Sequence, residues 1–141
     1  MIYKITNPLL VERIEPLINE IKFELDNETI KRVIIEYLQA DEGILYAEEK
    51  DGEPTGFIFA TPAYYEGEDV LFIQFSYIRR GNPNTGHEFM ARLKKECQER
   101  GIKRMLFITK RKPDGFMRKY KFTLEGYVLS KEVPDGEVVQ I

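Results

Sequence analysis

Apolar positions along this chain keep two rhythms. After Asn7-Pro8, a side-chain cap followed by proline in the first turn, Leu10, Ile14, Leu17, Ile18 and Ile21 recur at helical spacing, with Pro16 predicted to bend or divide the element. Asp26-Asn27 restarts a helix striped by Ile30, Val33, Ile34, Tyr37 and Leu38. A third stripe, Phe89, Met90, Leu93 and Cys97, ends at Gly101. Between the stripes, alternating or continuous apolar runs predict strands at Ile2 to Ile5, Ile44 to Glu48, Gly56 to Ala63, Val70 to Ile78, Met105 to Thr109, Phe122 to Val133 and Val138 to Ile141. Asp51-Gly52 is a hairpin signal, and Pro134-Asp135-Gly136 turns the chain into its last strand. Tyr64 to Asp69 reads as a connection, Pro113 to Tyr120 as a short helix, and the acidic stretch between the first two helices as a loop.

The resulting order is β-α-α-β-β-β-α-β-α-β-β. It predicts an α/β (α+β) fold: a mixed sheet of six or seven strands flanked by about four helices. A length of 141 residues fits one domain, taken as 1–141. The crossover from 70 to 109 should join two parallel strands in a right-handed sense, and ligands collect at the carboxyl ends of such strands.

Charge changes this picture more than bulk composition does. Net charge is −3, yet residues 79–121 hold fourteen Lys and Arg against four Asp and Glu, a balance of +10, leaving −13 elsewhere. A basic segment attracts phosphorylated ligands or nucleic acid, and an acidic remainder attracts cations. No nucleic-acid-binding motif accompanies the charge, so nucleic acid is not the expected partner. The lone Cys97 excludes an internal disulfide framework. No apolar run is long enough to span a bilayer, and M-I-Y-K-I-T lacks signal-peptide organisation, so the expected location is the cytoplasm.

One loop invites chemistry. Residues 77–87, Y-I-R-R-G-N-P-N-T-G-H, join the most apolar strand to the third helix. A helix start carries unpaired N–H groups and the positive end of the dipole, a ready anion site. The plain alternative is a strand-to-helix connection with Thr85 as a local cap. Cys97 falls on the apolar stripe and reads as core.

Taken in order, V-L-F-I-Q-F-S-Y-I, R-R-G-N-P-N-T-G, H-E-F-M-A-R-L-K-K-E-C-Q-E-R-G, M-L-F-I-T, F-M-R-K-Y-K-F and T-L-E-G-Y-V-L-S-K-E-V resemble the GNAT superfamily of N-acetyltransferases, over nearly the whole chain. The resemblance implies acetyl-CoA as co-substrate and direct transfer of its acetyl group to an amine. The cofactor's pyrophosphate would lie on backbone N–H groups of the loop and helix start. The residues it implicates are Tyr77, Ile78, Arg79, Arg80, Gly81, Asn84, Thr85, Gly86 and His87, with Tyr77 and Ile78 offering main-chain N–H to the thioester carbonyl. Family loops read like [RQ]-x-x-G-x-[GA]. Aligned on Gly86, Asn84 replaces the first glycine and Gly81 the arginine or glutamine, while Pro83 removes a donor.

The family's acid, a tyrosine on the short helix, is Met117 here; Tyr120, one helical turn later, is the nearest substitute. Gln74, Ser76, Glu66, Glu68 and Asp69 are the groups near the third long strand for base work, and Tyr64-Tyr65 could line an acceptor pocket. The acceptor implied is an amine-bearing small molecule or protein, cationic by attraction to the acidic loop Glu24 to Glu28. No metal is implied, and the sheet edge allows a homodimer. Because both motifs depart from the pattern, the alternative is a catalytically inactive GNAT-fold binding or assembly module. The resemblance also predicts that the strands around Ile73 to Ile78 and Met105 to Thr109 splay apart at their carboxyl ends.

Overall fold

A computed structural model describes residues 1–21, 25–108, 114–126 and 129–131. The chain groups into two compact units, Met1–Lys110 and Arg111–Ile141. In the first, β1 (Ile2–Ile5) leads into a 3-10 helix (Pro8–Ile14), α1 (Glu15–Glu20) and α2 (Asn27–Gln39). Then come β2 (Ile44–Lys50), β3 (Glu53–Tyr65), β4 (Glu68–Ile78), α3 (Thr85–Arg100) and β5 (Met105–Phe107). The described part of the second unit holds α4 (Asp114–Tyr120).

Local chemistry sets these bounds. The Asn7 side chain accepts from the Leu9 N–H with Pro8 in the first turn, and the helical path divides just before Pro16, as the sequence predicts. Asp26 caps α2 by accepting from the Thr29 N–H at 2.7 Å. Gly101, at φ +70°, closes α3, and the Ile102 N–H returns to the Cys97 carbonyl. Asp51 and Gly52 both take positive φ, the turn the Asp-Gly signal demands.

The strands form one sheet in the order β1-β2-β3-β4-β5, antiparallel throughout except for the parallel β4–β5 pair. Alternation sends Leu45, Ala47, Phe57, Phe59 and Phe75 into one core with Val11, Ile14, Leu17, Ile30 and Ile34 of the covering helices. The opposite face carries Tyr46, Glu48, Gly56 and Ile58, and α3 packs there through Phe89, Met90, Leu93 and Cys97. Burying about 25 such side chains at roughly 1.5–3 kcal/mol each is the main term holding the layers together.

Three expectations need correction. The sheet has five strands among the described residues, not six or seven. Of the strand read at Phe122 to Val133, residues 122–126 and 129–131 carry no strand pairing and the rest lies outside the described residues, as does Val138 to Ile141. The run Tyr64 to Asp69 is not a loop, because β3 continues to Tyr65 and turns through Glu66 and Gly67 alone. That hairpin tip stands clear of the core, with Tyr64 74% exposed, so no buried face marks it in the pattern. No helix among the described residues is long and apolar enough to cross a membrane.

Candidate active site

The carboxyl end of β4 is shaped by one extra residue. Phe75 opposes Phe59 and Ile73 opposes Ala60, which leaves Gln74 as a bulge on β4. Its side-chain amide donates to the buried Thr61 hydroxyl at 2.9 Å, fixing the distortion. Parallel pairing to β5 covers only Leu71 to Ile73 and stops at that bulge. Among the described residues, β4 from Gln74 to Ile78 is therefore paired on its β3 side alone. Backbone groups alternate sides along a strand. Since the Arg79 N–H donates to the Thr55 carbonyl of β3, the N–H groups of Ile78 and Ser76 point away from β3. Of the two main-chain donors named from sequence, Ile78 is the one aimed outward.

The loop that follows is held from several sides. Gly81, at φ +93°, makes a tight turn in open space, and the Asn82 amide donates back to the Arg79 carbonyl at 3.3 Å. Lys50 Nζ bonds to Asn82 Oδ1. Asn84 is the residue before α3, and its side chain makes no capping bond. The Thr85 N–H bonds to the Asn82 carbonyl at 3.3 Å and the Glu88 N–H to the Asn84 carbonyl at 3.1 Å, so what the start of α3 offers an anion is the positive end of the helix dipole with no side chain over it, and Pro83 adds no donor. Gly86 is buried, whereas Arg80 and His87 are exposed.

Thr85 does something the sequence did not disclose. It is 3% exposed, and its hydroxyl turns inward to Glu48, 2.9 and 3.0 Å from the two carboxylate oxygens. Thr55 donates to the same carboxylate at 2.8 Å from the bulge on β3. Thr85 neither caps α3 nor presents its hydroxyl outward; it bolts the helix start to β2.

Arg79 is also engaged. Its guanidinium meets Glu20, the last residue of α1, with Nη2 2.6 Å and Nε 3.1 Å from Oε1. Glu53 lies 3.8 Å from Nη1. The Tyr77 phenol donates to the other Glu20 oxygen at 2.9 Å. Those bonds, Arg79's first, hold the Glu20 carboxyl below its ordinary value, and the bond to Glu20 raises the Tyr77 phenol.

Five residues named from sequence lie elsewhere in the first unit. Tyr64 and Tyr65 end β3, Glu66 turns the chain, and Glu68 and Asp69 begin β4, a hairpin tip roughly 30 Å from Ile78 at about 3.3 Å per residue. Glu68 is bonded to Arg104 at 2.6 Å. Tyr120 and Met117 lie on α4 of the second unit, each half-buried. Glu24 lies outside the described residues. A hollow of about 330 Å³ lined by Tyr46, Arg92, Lys95 and Glu96 follows the later turns of α3, away from its N-terminus.

No protein-family model and no curated protein matches the sequence. Solved structures do match. The aminoglycoside 6'-N-acetyltransferase AAC(6')-IG from Acinetobacter haemolyticus superposes with a TM-score of 0.78 at 11% identity, covering 95% of this chain and 99% of that one. The aminoglycoside N-acetyltransferase AAC(6')-Iy in complex with CoA gives 0.77 at 15% identity, over 94% and 93%. A predicted acetyltransferase with acetyl-CoA from Clostridium acetobutylicum gives 0.69 at 19% identity, over 94% and 96%. The fold is that of the GNAT acetyltransferases.

Proposed function

We propose that this chain is an acetyl-CoA-dependent N-acetyltransferase that moves the acetyl group directly onto an amine. The observation that carries the reading is the end of β4. Among the described residues, pairing to β5 stops at the Gln74 bulge, and outward-facing N–H groups at Ser76 and Ile78 lead straight into the loop and N-terminus of α3. An unpaired strand edge is a template for an extended amide-bearing chain, such as the arm that carries the thioester. The start of α3, with no side-chain cap and with Gly81, Asn84 and Gly86 around it, fits a diphosphate; Arg79 and Arg80 stand on the loop before it and His87 on its first turn.

In this reading the Ile78 N–H polarises the thioester carbonyl and stabilises the oxyanion as the amine nitrogen attacks. The C–N bond forms, the C–S bond breaks, and the amine's proton passes to solvent. The thiolate leaves without obligatory protonation, because a thiol, titrating at about 8.5, is acidic enough for its anion to be a tolerable leaving group. Tyr120 is the phenol we assign to assist that departure, in place of the family's tyrosine at the Met117 position. A protonated amine acceptor suits the acidic segment, and the Glu20 carboxylate stands at the same strand end.

The second reading, a GNAT-fold binding module without catalysis, draws support from Pro83, Met117 and the inward-turned Thr85 hydroxyl. Calorimetric titration with acetyl-CoA, followed by thiol release over a panel of primary amines, separates the two. We expect saturable binding and amine-dependent CoA release. Binding without release on any amine would favour the module, and no heat at millimolar acetyl-CoA would sink both the cofactor and the enzyme assignments.

A further inference from the structure

Arg79 is built as a pivot. Its backbone is fixed at both polar groups, the N–H on the Thr55 carbonyl and the carbonyl under the Asn82 amide. Its side chain, 30% exposed, rests on Glu20 and more loosely on Glu53, which are 37% and 76% exposed. An ion pair open to water is worth little, so a competing anion can take the guanidinium. Such an anion is expected within one tight turn of the chain, at the start of α3. A diphosphate presents more charge than one carboxylate and accepts the guanidinium fork bidentately.

Resting on the cofactor reading above, we propose that Glu20 is a positioning residue. It holds Arg79 toward α1 until the cofactor's diphosphate draws that guanidinium away, so that exchange of the ion pair sets cofactor affinity. Exchange has a second consequence. It leaves the Glu20 carboxylate, still accepting from Tyr77, as an anion at the strand end where a cationic amine would arrive. Residues 57 and 59 positions apart in sequence from Glu20 thereby link the cofactor loop to the first helical layer.

The test is a double-mutant cycle read by calorimetry with CoA on the full chain: wild type, Glu20→Gln, Arg79→Gln and the double variant. Glu20→Gln keeps an acceptor oxygen for Tyr77 but frees Arg79, and we expect CoA to bind about two- to fivefold tighter. Arg79→Gln should bind about tenfold weaker. In the double variant the gain from Glu20→Gln should vanish, leaving the affinity of Arg79→Gln. Glu20→Ala, checked for an unchanged melting temperature, should reproduce the tightening.

Unchanged or weaker binding by Glu20→Gln overturns the inference. So does an equal gain with and without Arg79, which would mark simple removal of a nearby negative charge. A wild type that binds no CoA removes the cofactor reading itself, and this inference with it. Wild-type binding with no Glu20 effect removes only the inference.

Discussion

Glu48 carries a carboxylate at a position only 5% exposed, beneath the start of the helix proposed to hold a diphosphate. A buried carboxylate is costly unless its oxygens are hydrogen-bonded, and here the Thr55 and Thr85 hydroxyls do so. Glu48→Ala would strand the buried Thr85 hydroxyl, leave half-buried Thr55 only its longer bond to the residue 48 carbonyl, and open a small void. We expect a loss of about 2–3 kcal/mol in urea unfolding at unchanged m, since each unsatisfied buried group costs on the order of 1–3 kcal/mol. Glu48→Gln retains one acceptor oxygen and should lose about half as much. Freed from its bolt, Thr85 would also let the first turn of α3 drift, so Glu48→Ala should bind CoA more weakly than Glu48→Gln. A wild-type unfolding midpoint for Glu48→Ala would show that the contact is idle.

At the scale of elements, β4 does the positioning. Among the described residues its pairing with β5 ends at the Gln74 bulge, beyond which Phe75 and Tyr77 lie on the core face while Ser76 and Ile78 lie on the α3 face. The Ile78 N–H points away from β3, so Ile78→Pro removes it without breaking the β3 ladder. We expect kcat to fall by about 100-fold, the usual effect of losing one oxyanion donor, while CoA affinity changes far less. Equal losses in kcat and CoA affinity would instead mean that the strand end had been distorted. The helices and most strands were legible in the sequence because each has a buried face with its own period: Ile30, Ile34 and Leu38 on α2, Phe57 and Phe59 on β3. Gln74 left no trace, because a bulge is a mismatch between two strands and neither one displays it alone. Neither Thr85 on Glu48 nor Arg79 on Glu20 was legible, since these partners stand 37 and 59 residues apart and meet only when the sheet is assembled. The Tyr64 to Asp69 hairpin tip was misread for a different reason: it buries nothing, so periodicity had nothing to report.

For the whole molecule, the division into an acidic remainder and a basic 79–121 segment is partly used up inside the fold. Glu20 meets Arg79, Glu68 meets Arg104, and Glu96 meets Lys4. The last of these ties edge strand β1 and its neighbour β2 to α3, because the Glu96 carboxylate, 8% exposed, takes both Lys4 Nζ and the Tyr46 hydroxyl at 2.7 Å. Burial alone would raise the Glu96 carboxyl; the bonds from Lys4 and Tyr46 outweigh it and leave the group below its ordinary 4.5. A folded value below the unfolded one means that Glu96 contributes its full stability above pH 4.5 and loses it as pH falls through the folded value. Tyr46 has the opposite sign. Burial and the Glu96 bond push its phenol to about 12, so its contribution is complete below pH 10 and fades as pH rises toward about 12. Wild-type urea midpoints should therefore fall as pH drops below 4.5, beyond the loss caused by the other carboxylates. Glu96→Gln cannot titrate there. It should be less stable than wild type near neutrality, and the gap between the two should narrow as the wild-type carboxylate is protonated. A gap that stays constant across that range would mean that Glu96 contributes through packing rather than charge, and that β1 is held to α3 by shape alone.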